Sequence, residues 1–306
     1  MPDRVRIVEV APRDGLQNEP EVVSLADRLA FVRALAAAGL QEIEIGAFVR
    51  EDLVPQMADS EAMARELCSD ESLASVTLTA LVPNEHGLER AIEAGVRDIA
   101  VFTAASDAFA ERNIHMSVEK SLEHFAGVIE GAKSAGLGVR GYVSTAWWCP
   151  FEGPVEPDAT RHVTAVLCEL GCREVSIADT IGAATPGVVR SLLESIAADV
   201  GVDMLAAHFH DTRGTALANV LAALEVGVSV IDASAGGLGG CPFAPGAMGN
   251  LPTEDLIYML DGLGIHSGVN LDKLRAASLR MQDIIGRRLP SHVLRAGPPP
   301  RGHHAQ

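Results

Sequence analysis

The chain has 306 residues, of which 48% are hydrophobic and only 4% aromatic, so its core can fill one large α/β domain or two small ones. Its 24 basic residues are outnumbered by 41 acidic ones, and the net charge of −17 argues against nucleic acid as a partner, because duplex binding needs a concentrated basic face. No apolar run approaches the roughly 18 residues of a transmembrane helix, and a strand-like run begins so near Met1 that we expect no signal peptide and no membrane association.

Short apolar runs rich in valine and isoleucine alternate with stretches of helical periodicity. The runs lie near 5–10, 41–45, 75–81, 97–102, 138–143, 173–178, 203–209 and 228–233. The helical stretches lie near 24–39, 59–69, 84–94, 118–135, 158–170, 186–199, 214–226 and 253–262. Eight strand-then-helix units predict an α/β fold of the (β/α)8 TIM-barrel type. A doubly wound open sheet fits less well, because the first turn lacks a glycine-rich phosphate fingerprint.

A further helical stretch near 271–287 follows the eighth unit, and the chain then becomes rich in proline and glycine. No linker divides the sequence. We therefore predict a single TIM-barrel catalytic domain over 1–290, including the additional C-terminal helix, and a disordered tail over 291–306.

Two histidines at the seventh predicted strand give the sharpest chemical signal. His208 and His210 are two residues apart, so on a strand they project to the same side and can bind one cation. In a TIM barrel, Asp14 after the first strand and Asn250 after the eighth reach the same face. A lone buried histidine is usually structural, but this set of nitrogen and oxygen donors favours a divalent metal ion, Mg²⁺ or Mn²⁺ rather than structural Zn²⁺.

Other polar residues follow the predicted strands at the same end of the barrel. Arg13 precedes Asp14, and the pair is either a surface ion pair at a turn or a cation that neutralises an oxyanion beside a metal ligand. Glu44, at the end of the second strand, has the charge to hold Arg13 in place. Gln17 and Thr180 also come after strands, the first and the sixth.

The segment 235–250 holds six glycines and two prolines, and Cys241 lies within it. It is either an awkward strand-to-helix connection or a mobile lid that carries a thiol over the site. The five cysteines are odd in number and show no CxxC spacing, which indicates thiols in a reducing cytoplasm. After the fifth strand, Trp147 and Trp148 fit either packing or a wall of the substrate pocket.

Three motifs closely resemble the hydroxymethylglutaryl-CoA lyase family: VEVAPRDGLQNEP over 8–20, AAHFHDTRGTALANV over 206–220 and AGGLGGCPFAPGAMGNLPTEDLIYML over 235–260. The resemblance spans about residues 4–275. It implies a metal-dependent TIM barrel that cleaves 3-hydroxy-3-methylglutaryl-CoA to acetyl-CoA and acetoacetate, a step of leucine degradation and ketone-body formation. It also implies an acyl-CoA substrate and a homodimer.

The resemblance also implies roles for individual residues. The metal ligands would be Asp14, His208, His210 and Asn250. The catalytic set would be Arg13, which stabilises the thioester enolate, His208 or Asp14 as the base, Cys241 as the proton donor and Glu44 as support. The candidates for substrate binding are Arg13, Gln17, Thr180 and the barrel-mouth residues Asn113, Arg140 and Tyr142.

The chain departs from the family pattern at several positions. Ala47 stands where the family usually has serine, and Arg213 replaces an aromatic residue. The run after the fifth strand reads STAWWCPFEG, where small residues and a cysteine are usual. Because the metal and acid–base residues are intact, the reaction type is retained, while a differently substituted 3-hydroxyglutaryl-CoA or another 3-hydroxyacyl-CoA stays open as the substrate.

Three alternatives remain. The isopropylmalate and homocitrate synthases share the barrel and the HxH pair, but they usually read DRE after the first strand and continue into a longer C-terminal region, whereas this chain reads Arg13-Asp14-Gly15. A 4-hydroxy-2-oxo acid aldolase is the second. The third is a catalytically dead barrel that serves as a scaffold, which would be expected to lose one of the proposed ligands or the loop cysteine.

Overall fold

A computed structural model describes residues 1–240 and 249–297 of the chain. Its barrel strands are β1 (Arg6–Glu9), β2 (Glu42–Ala47), β3 (Thr77–Leu81), β4 (Asp98–Ala104), β5 (Gly138–Ser144), β8 (Glu174–Asp179), β9 (Leu205–Phe209) and β10 (Val230–Ala233). They are parallel and close in the order β1-β10-β9-β8-β5-β4-β3-β2. The predicted (β/α)8 barrel is confirmed. A small antiparallel hairpin, β6 (Trp148–Cys149) with β7 (Gly153–Pro154), follows β5.

Helices surround the barrel. They are α1 (Leu25–Ala37), α2 (Ser60–Cys68), α3 (Glu85–Glu93), α4 (Asp107–Ile114), α5 (Val118–Ser134), α6 (Pro157–Leu170), α7 (Pro186–Val200), α8 (Ala216–Val226), α9 (Thr253–Leu263), α10 (Leu271–Ile285) and α11 (His292–Ala296). The first begins as its sequence predicts, because the Ser24 hydroxyl accepts a hydrogen bond from the Asp27 amide at 3.2 Å. Along the described chain, no helix is both long and apolar enough to cross a bilayer.

The apolar core lies between the strands and the helices. Along β5, Val139 and Val143 belong to this core, whereas Arg140 and Tyr142 alternate with them and turn into the barrel. Ionic side chains therefore share the inside of the barrel with apolar ones such as Val8 and Val230. At its lower end, Arg6 bonds to the carboxylates of Glu42 and Glu174.

Three features of the fold differ from the sequence prediction. Residues 291–297, which we assigned to a disordered tail, contain α11, and the side chain of Asp255 on α9 accepts hydrogen bonds from the Val293 amide at 2.8 Å and the Ser291 hydroxyl at 2.7 Å. Leu294 is buried beside them. The ordered chain thus continues to Gly297, and residues 298–306 lie outside the described part.

The sequence also did not predict the short helix α4 or the β6–β7 hairpin.

Candidate active site

The turn after β1 is a five-residue π-helix, Ala11–Gly15, that carries two of the candidate residues. The amides of Arg13 and Gly15 both donate to the Val10 carbonyl, at 3.2 and 3.1 Å. A side chain at Gly15 would lie 2.9 Å from the Leu238 Cβ, so only glycine lets this turn approach the segment after β10. Gly15 thus allows the turn after β1 to pack closely against the segment after β10.

A buried carboxylate ties these two turns together. One oxygen of Glu9 accepts hydrogen bonds from the amides of Ala11, at 3.0 Å, and Ala235, at 2.8 Å, and the other accepts from the Thr253 hydroxyl at 2.8 Å. Burial raises the pKa of Glu9 to about 8, although these donors lower it. Glu9 therefore fixes the turn that carries Arg13 relative to the segment after β10.

Asp14, His208 and His210 converge as the strand-end pattern predicts. One potential ligand atom from each lies within 4.8 Å of the others, and both histidines are buried. Asn250 joins them, because its Nδ2 donates to the Asp14 carboxylate at 2.6 Å and its backbone pairs with His210. No described residue donates a hydrogen bond to the buried Oδ1 of Asn250, so an acceptor is available for a cation at this cluster.

The electrostatics of the cluster keep its carboxylate ionised. Burial alone would raise the pKa of Asp14, but the Arg13 guanidinium and the two imidazoles hold that pKa below its usual value. An ionised carboxylate beside two imidazoles and an amide oxygen is a donor set that divalent ions accept. The residues present therefore fit a metal ion.

Asp232 orients His208, a role that the sequence did not predict. The two residues are partners in register on the adjacent strands β10 and β9, and the imidazole Nδ1 lies 3.2 Å from an Asp232 oxygen. A proton on Nδ1 that bonds to this carboxylate leaves Nε2 to act as a ligand or base. Burial would raise the pKa of Asp232, yet Arg140 and His208 hold that pKa far below its ordinary value. The available signal was a single acid in the apolar strand VIDA.

Arg13 is held between two carboxylates. Its guanidinium lies 2.8 Å from Glu44 and 3.0 Å from Asp14, and it also lies over the Tyr142 ring, 5.8 Å from the ring centroid. Burial would lower the pKa of Arg13, but Glu44 and Asp14 raise it well above its ordinary value, so the guanidinium stays charged. The predicted pairing of Glu44 with Arg13 is present. A fixed guanidinium beside a cluster of potential metal ligands can stabilise an oxyanion.

A cavity of about 580 Å³ opens over the cluster. Its polar lining includes Arg13, Asp14, Gln17, Asn113, Tyr142, Thr180, His208 and His210. Its apolar lining includes Val49, Leu53, Val54, Leu81, Phe102, Phe109, Ile114, Met116 and Phe125. The polar side can hold reacting groups in place, and the apolar side can bind an aliphatic chain.

Some predicted site residues do not reach the cavity. Arg140, predicted at the barrel mouth, is fully buried one layer below Tyr142, where it bonds to Glu174 at 2.6 Å and to Asp232 at 2.5 Å. Its partners already occupy its guanidinium, so it supports the site from beneath instead of contacting an acyl chain. Glu44 is also fully buried and acts through Arg13. Cys241 lies outside the described residues.

The two tryptophans do not line the described cavity. Trp147 is buried, packs 5.9 Å from the Phe209 ring and donates its indole hydrogen to the Val188 carbonyl at 3.2 Å. Trp148 is 42% exposed. The structure therefore favours packing for Trp147, whereas the exposed Trp148 fits neither interpretation.

Comparisons with known proteins agree along nearly the whole chain. The family model described as HMGL-like matches residues 4–280. A Pseudomonas aeruginosa protein named 3-hydroxy-3-isohexenylglutaryl-CoA/hydroxymethylglutaryl-CoA lyase is 47% identical over 296 residues, 97% of this chain and 98% of its own length.

Two solved structures are similar throughout. A hydroxymethylglutaryl-CoA lyase from P. aeruginosa has a TM-score of 0.93 at 46% identity and covers 97% of this chain and 98% of its own. An HMG-CoA lyase from Acinetobacter baumannii, solved with coenzyme A and 3-methylmalate, has a TM-score of 0.92 at 34% identity and covers 98% of this chain and 97% of its own.

Proposed function

This chain belongs to the HMGL-like family, and from that premise we propose that it is a carbon–carbon lyase that cleaves 3-hydroxy-3-methylglutaryl-CoA to acetyl-CoA and acetoacetate. The observation that carries the proposal is the cluster of Asp14, His208 and His210 beside the fixed cation of Arg13. In this reaction the C3 hydroxyl loses its proton and the C2–C3 bond breaks. The electron pair of that bond passes to the thioester as an enolate, which then takes up a proton at C2.

The metal ion we assign to this site is Mg²⁺ or Mn²⁺. Asp14, His208, His210 and the Oδ1 of Asn250 would hold it, and the ion when bound lowers the pKa of the C3 hydroxyl and orients it. The absence of a thiolate among these donors supports a hard or borderline ion over structural Zn²⁺.

The remaining chemistry falls to the side chains of this chain. His208 or Asp14 accepts the hydroxyl proton, and Asp232 keeps the His208 ring in the orientation that allows this. Arg13 stabilises the enolate oxygen as its charge develops, because Glu44 already fixes the guanidinium before the reaction. Cys241 is our candidate for protonating the enolate carbon, and this role stays a prediction.

The cavity residues Gln17, Asn113, Tyr142 and Thr180 are our candidates for holding the acyl group or the CoA arm. The coenzyme A bound by the A. baumannii relative supports an acyl-CoA ligand. By family resemblance we also expect a homodimer and a place in leucine degradation and ketone-body formation, and the unpaired cysteine pattern supports a location in the cytoplasm.

A coupled assay for acetyl-CoA release tests this function directly. Wild-type protein should release acetyl-CoA from 3-hydroxy-3-methylglutaryl-CoA, lose activity with EDTA and regain it with Mg²⁺ or Mn²⁺. His210→Ala should remain folded but bind Mn²⁺ far more weakly. Full activity in EDTA, or full metal-dependent activity in the variant, would show that the ligand assignment is wrong. A protein that instead condenses acetyl-CoA with a 2-oxo acid would belong with the synthases.

A longer substituent at C3 is a second candidate, favoured by the apolar side of the cavity. Leu53, Phe102 and Phe125 are among the residues that form it, and Leu53 is 68% exposed. The name of the P. aeruginosa relative includes an isohexenyl substrate. Comparing kcat/KM for the 3-methyl substrate with that for analogues carrying longer aliphatic groups tests this candidate. A steep fall with the first added carbons would exclude it.

A further inference from the structure

The β6–β7 hairpin, Trp148–Pro154, lies in the run after β5 where the sequence departs from its family. On one side, Trp147 anchors the start of the hairpin to α7 through its hydrogen bond to the Val188 carbonyl. Trp147 also packs against Phe209 at the end of β9. The base of the hairpin is therefore fixed to the barrel, and its tip can support a neighbouring element.

That neighbouring element is α4. The Phe151 ring stacks on Phe109 with 6.3 Å between centroids, and the Arg112 guanidinium carbon lies only 3.9 Å from the Phe151 centroid. Cys149 is fully buried and receives a hydrogen bond at 3.0 Å from the hydroxyl of Ser106, the residue that caps the N-terminus of α4. The hairpin thus contacts α4 at its first turn and along its side.

The helix α4 forms one wall of the cavity. Phe109, Asn113 and Ile114 line it, and so do His115 and Met116 directly after the helix. The helix has eight residues and ends at Ile114, and His115, which follows it, has a left-handed backbone with φ of 57°. A helix this short is marginal without tertiary contacts, so its position depends on what packs against it.

We propose that the hairpin holds α4 in the position that binds the acyl-CoA, with Phe151 and Arg112 as positioning residues. The inference rests on the proposed function for its ligand. If this support is lost, α4 becomes more mobile and must be ordered when the ligand binds, which weakens binding. The cluster of Asp14 and His208 is held separately, by Asn250 and Asp232, so the chemical step and metal affinity should be unaffected.

Two variants approach the contact from opposite sides. Phe151→Ala and Arg112→Ala should each raise KM for 3-hydroxy-3-methylglutaryl-CoA about three- to thirtyfold, the range expected for losing a stacked cation–ring contact. In both, kcat and Mn²⁺ affinity should stay within about twofold of wild type, a difference too small to reflect a lost contact. Hydrogen exchange in peptides over 107–116 should become faster. Phe151→Tyr should restore KM and exchange, and Trp148→Ala, on the same hairpin but half-exposed, should resemble wild type.

The outcomes separate this inference from the proposed function. If wild type shows no lyase activity, the proposed function is wrong, while the exchange measurement still tests the support of α4. An unchanged KM or unchanged exchange in Arg112→Ala, a residue on the surface that can be replaced without disturbing the core, would overturn the inference. So would a fall in kcat at constant KM, or a Trp148→Ala protein with the same defect.

Discussion

The inside of the barrel is crossed by a chain of ion pairs, whereas the layer around it is built mainly from apolar side chains. Around the barrel, buried side chains such as Leu35, Leu193 and Val220 pack strands against helices. Inside it, Glu174 bonds to Arg140, Arg140 bonds to Asp232, and Asp232 contacts His208. Barrel interiors are more often filled by branched apolar residues. The outer layer thus stabilises the fold, and the ionic column inside positions the chemistry.

This difference matters energetically because an ion inside the barrel has been removed from water. Removing one partner of a buried ion pair typically costs about 3–5 kcal/mol, since the other charge is left uncompensated. Changes inside the barrel should therefore lower the stability of the fold as well as the activity. Changes in the outer layer should alter stability alone.

The largest expected effect is that of replacing Arg13, which lies above this column and pairs with Asp14 and Glu44. Arg13→Ala should lower kcat about 10²–10³-fold or more and change KM little, because the guanidinium stabilises charge that develops in the transition state. Steady-state kinetics measure both constants. Arg33→Ala, an ion-paired surface arginine, is the control and should behave as wild type. A variant changed mainly in KM would make Arg13 a binding residue.

Asp232, one layer lower, should have the next largest effect. Asp232→Asn keeps the volume but removes the charge that orients His208, so Mn²⁺ affinity should fall about 10–100-fold. Titration calorimetry measures this, and Ser176→Ala, which removes only a hydroxyl that donates to Asp232 at 2.8 Å, is the matched control. Equal Mn²⁺ affinity in Asp232→Asn and wild type would contradict the orienting role.

In the outer layer the effect should be on stability. Leu35 on α1 is fully buried, so Leu35→Ala should lower the free energy of unfolding by about 2–5 kcal/mol while kcat at 25 °C stays near wild type. Denaturant unfolding measures this change. Leu263→Ala, 43% exposed at the end of α9, should have little effect. A loss of kcat in the folded Leu35 variant would break the division between the two regions.

The last expected effect is a pH dependence of stability that Glu9 causes. Its pKa rises from 4.5 to about 8 on folding, so between these values the folded state retains a proton that the unfolded state releases. The free energy of unfolding should therefore fall as pH rises from about 5 to 8. Glu9→Gln should flatten this slope, whereas Glu123→Gln, at an exposed position, should leave it unchanged. An identical slope in Glu9→Gln and wild type would mean that another group causes it.

The sequence predicted the outer layer better than the inside of the barrel. Hydrophobic periodicity located all eight barrel strands. The positions of Asp14, His208 and His210 at the strand ends predicted that these residues would form one cluster. How far a side chain on a strand lies below the cavity was harder to predict. Arg140 and Tyr142 are two residues apart, about 6–7 Å along a strand, and only the second reaches the cavity. The sequence did not predict α4, because eight residues are too few to show a clear helical periodicity. The position of this helix also depends on tertiary contacts, which the local sequence does not show.

The ionic column also bears on how the barrel can be divided. Its partners come from distant parts of the chain: Arg140 and Asp232 are 92 residues apart, and Arg6 and Glu174 are 168 residues apart. A cut between β5 and β8 would place Arg140 in one fragment and both of its carboxylate partners in the other. The first half-barrel would then expose Arg140, and the second would expose Glu174 and Asp232, each without the partner that it has in the whole barrel. We therefore expect the two fragments to fold more readily together than apart, because only together can these ion pairs form.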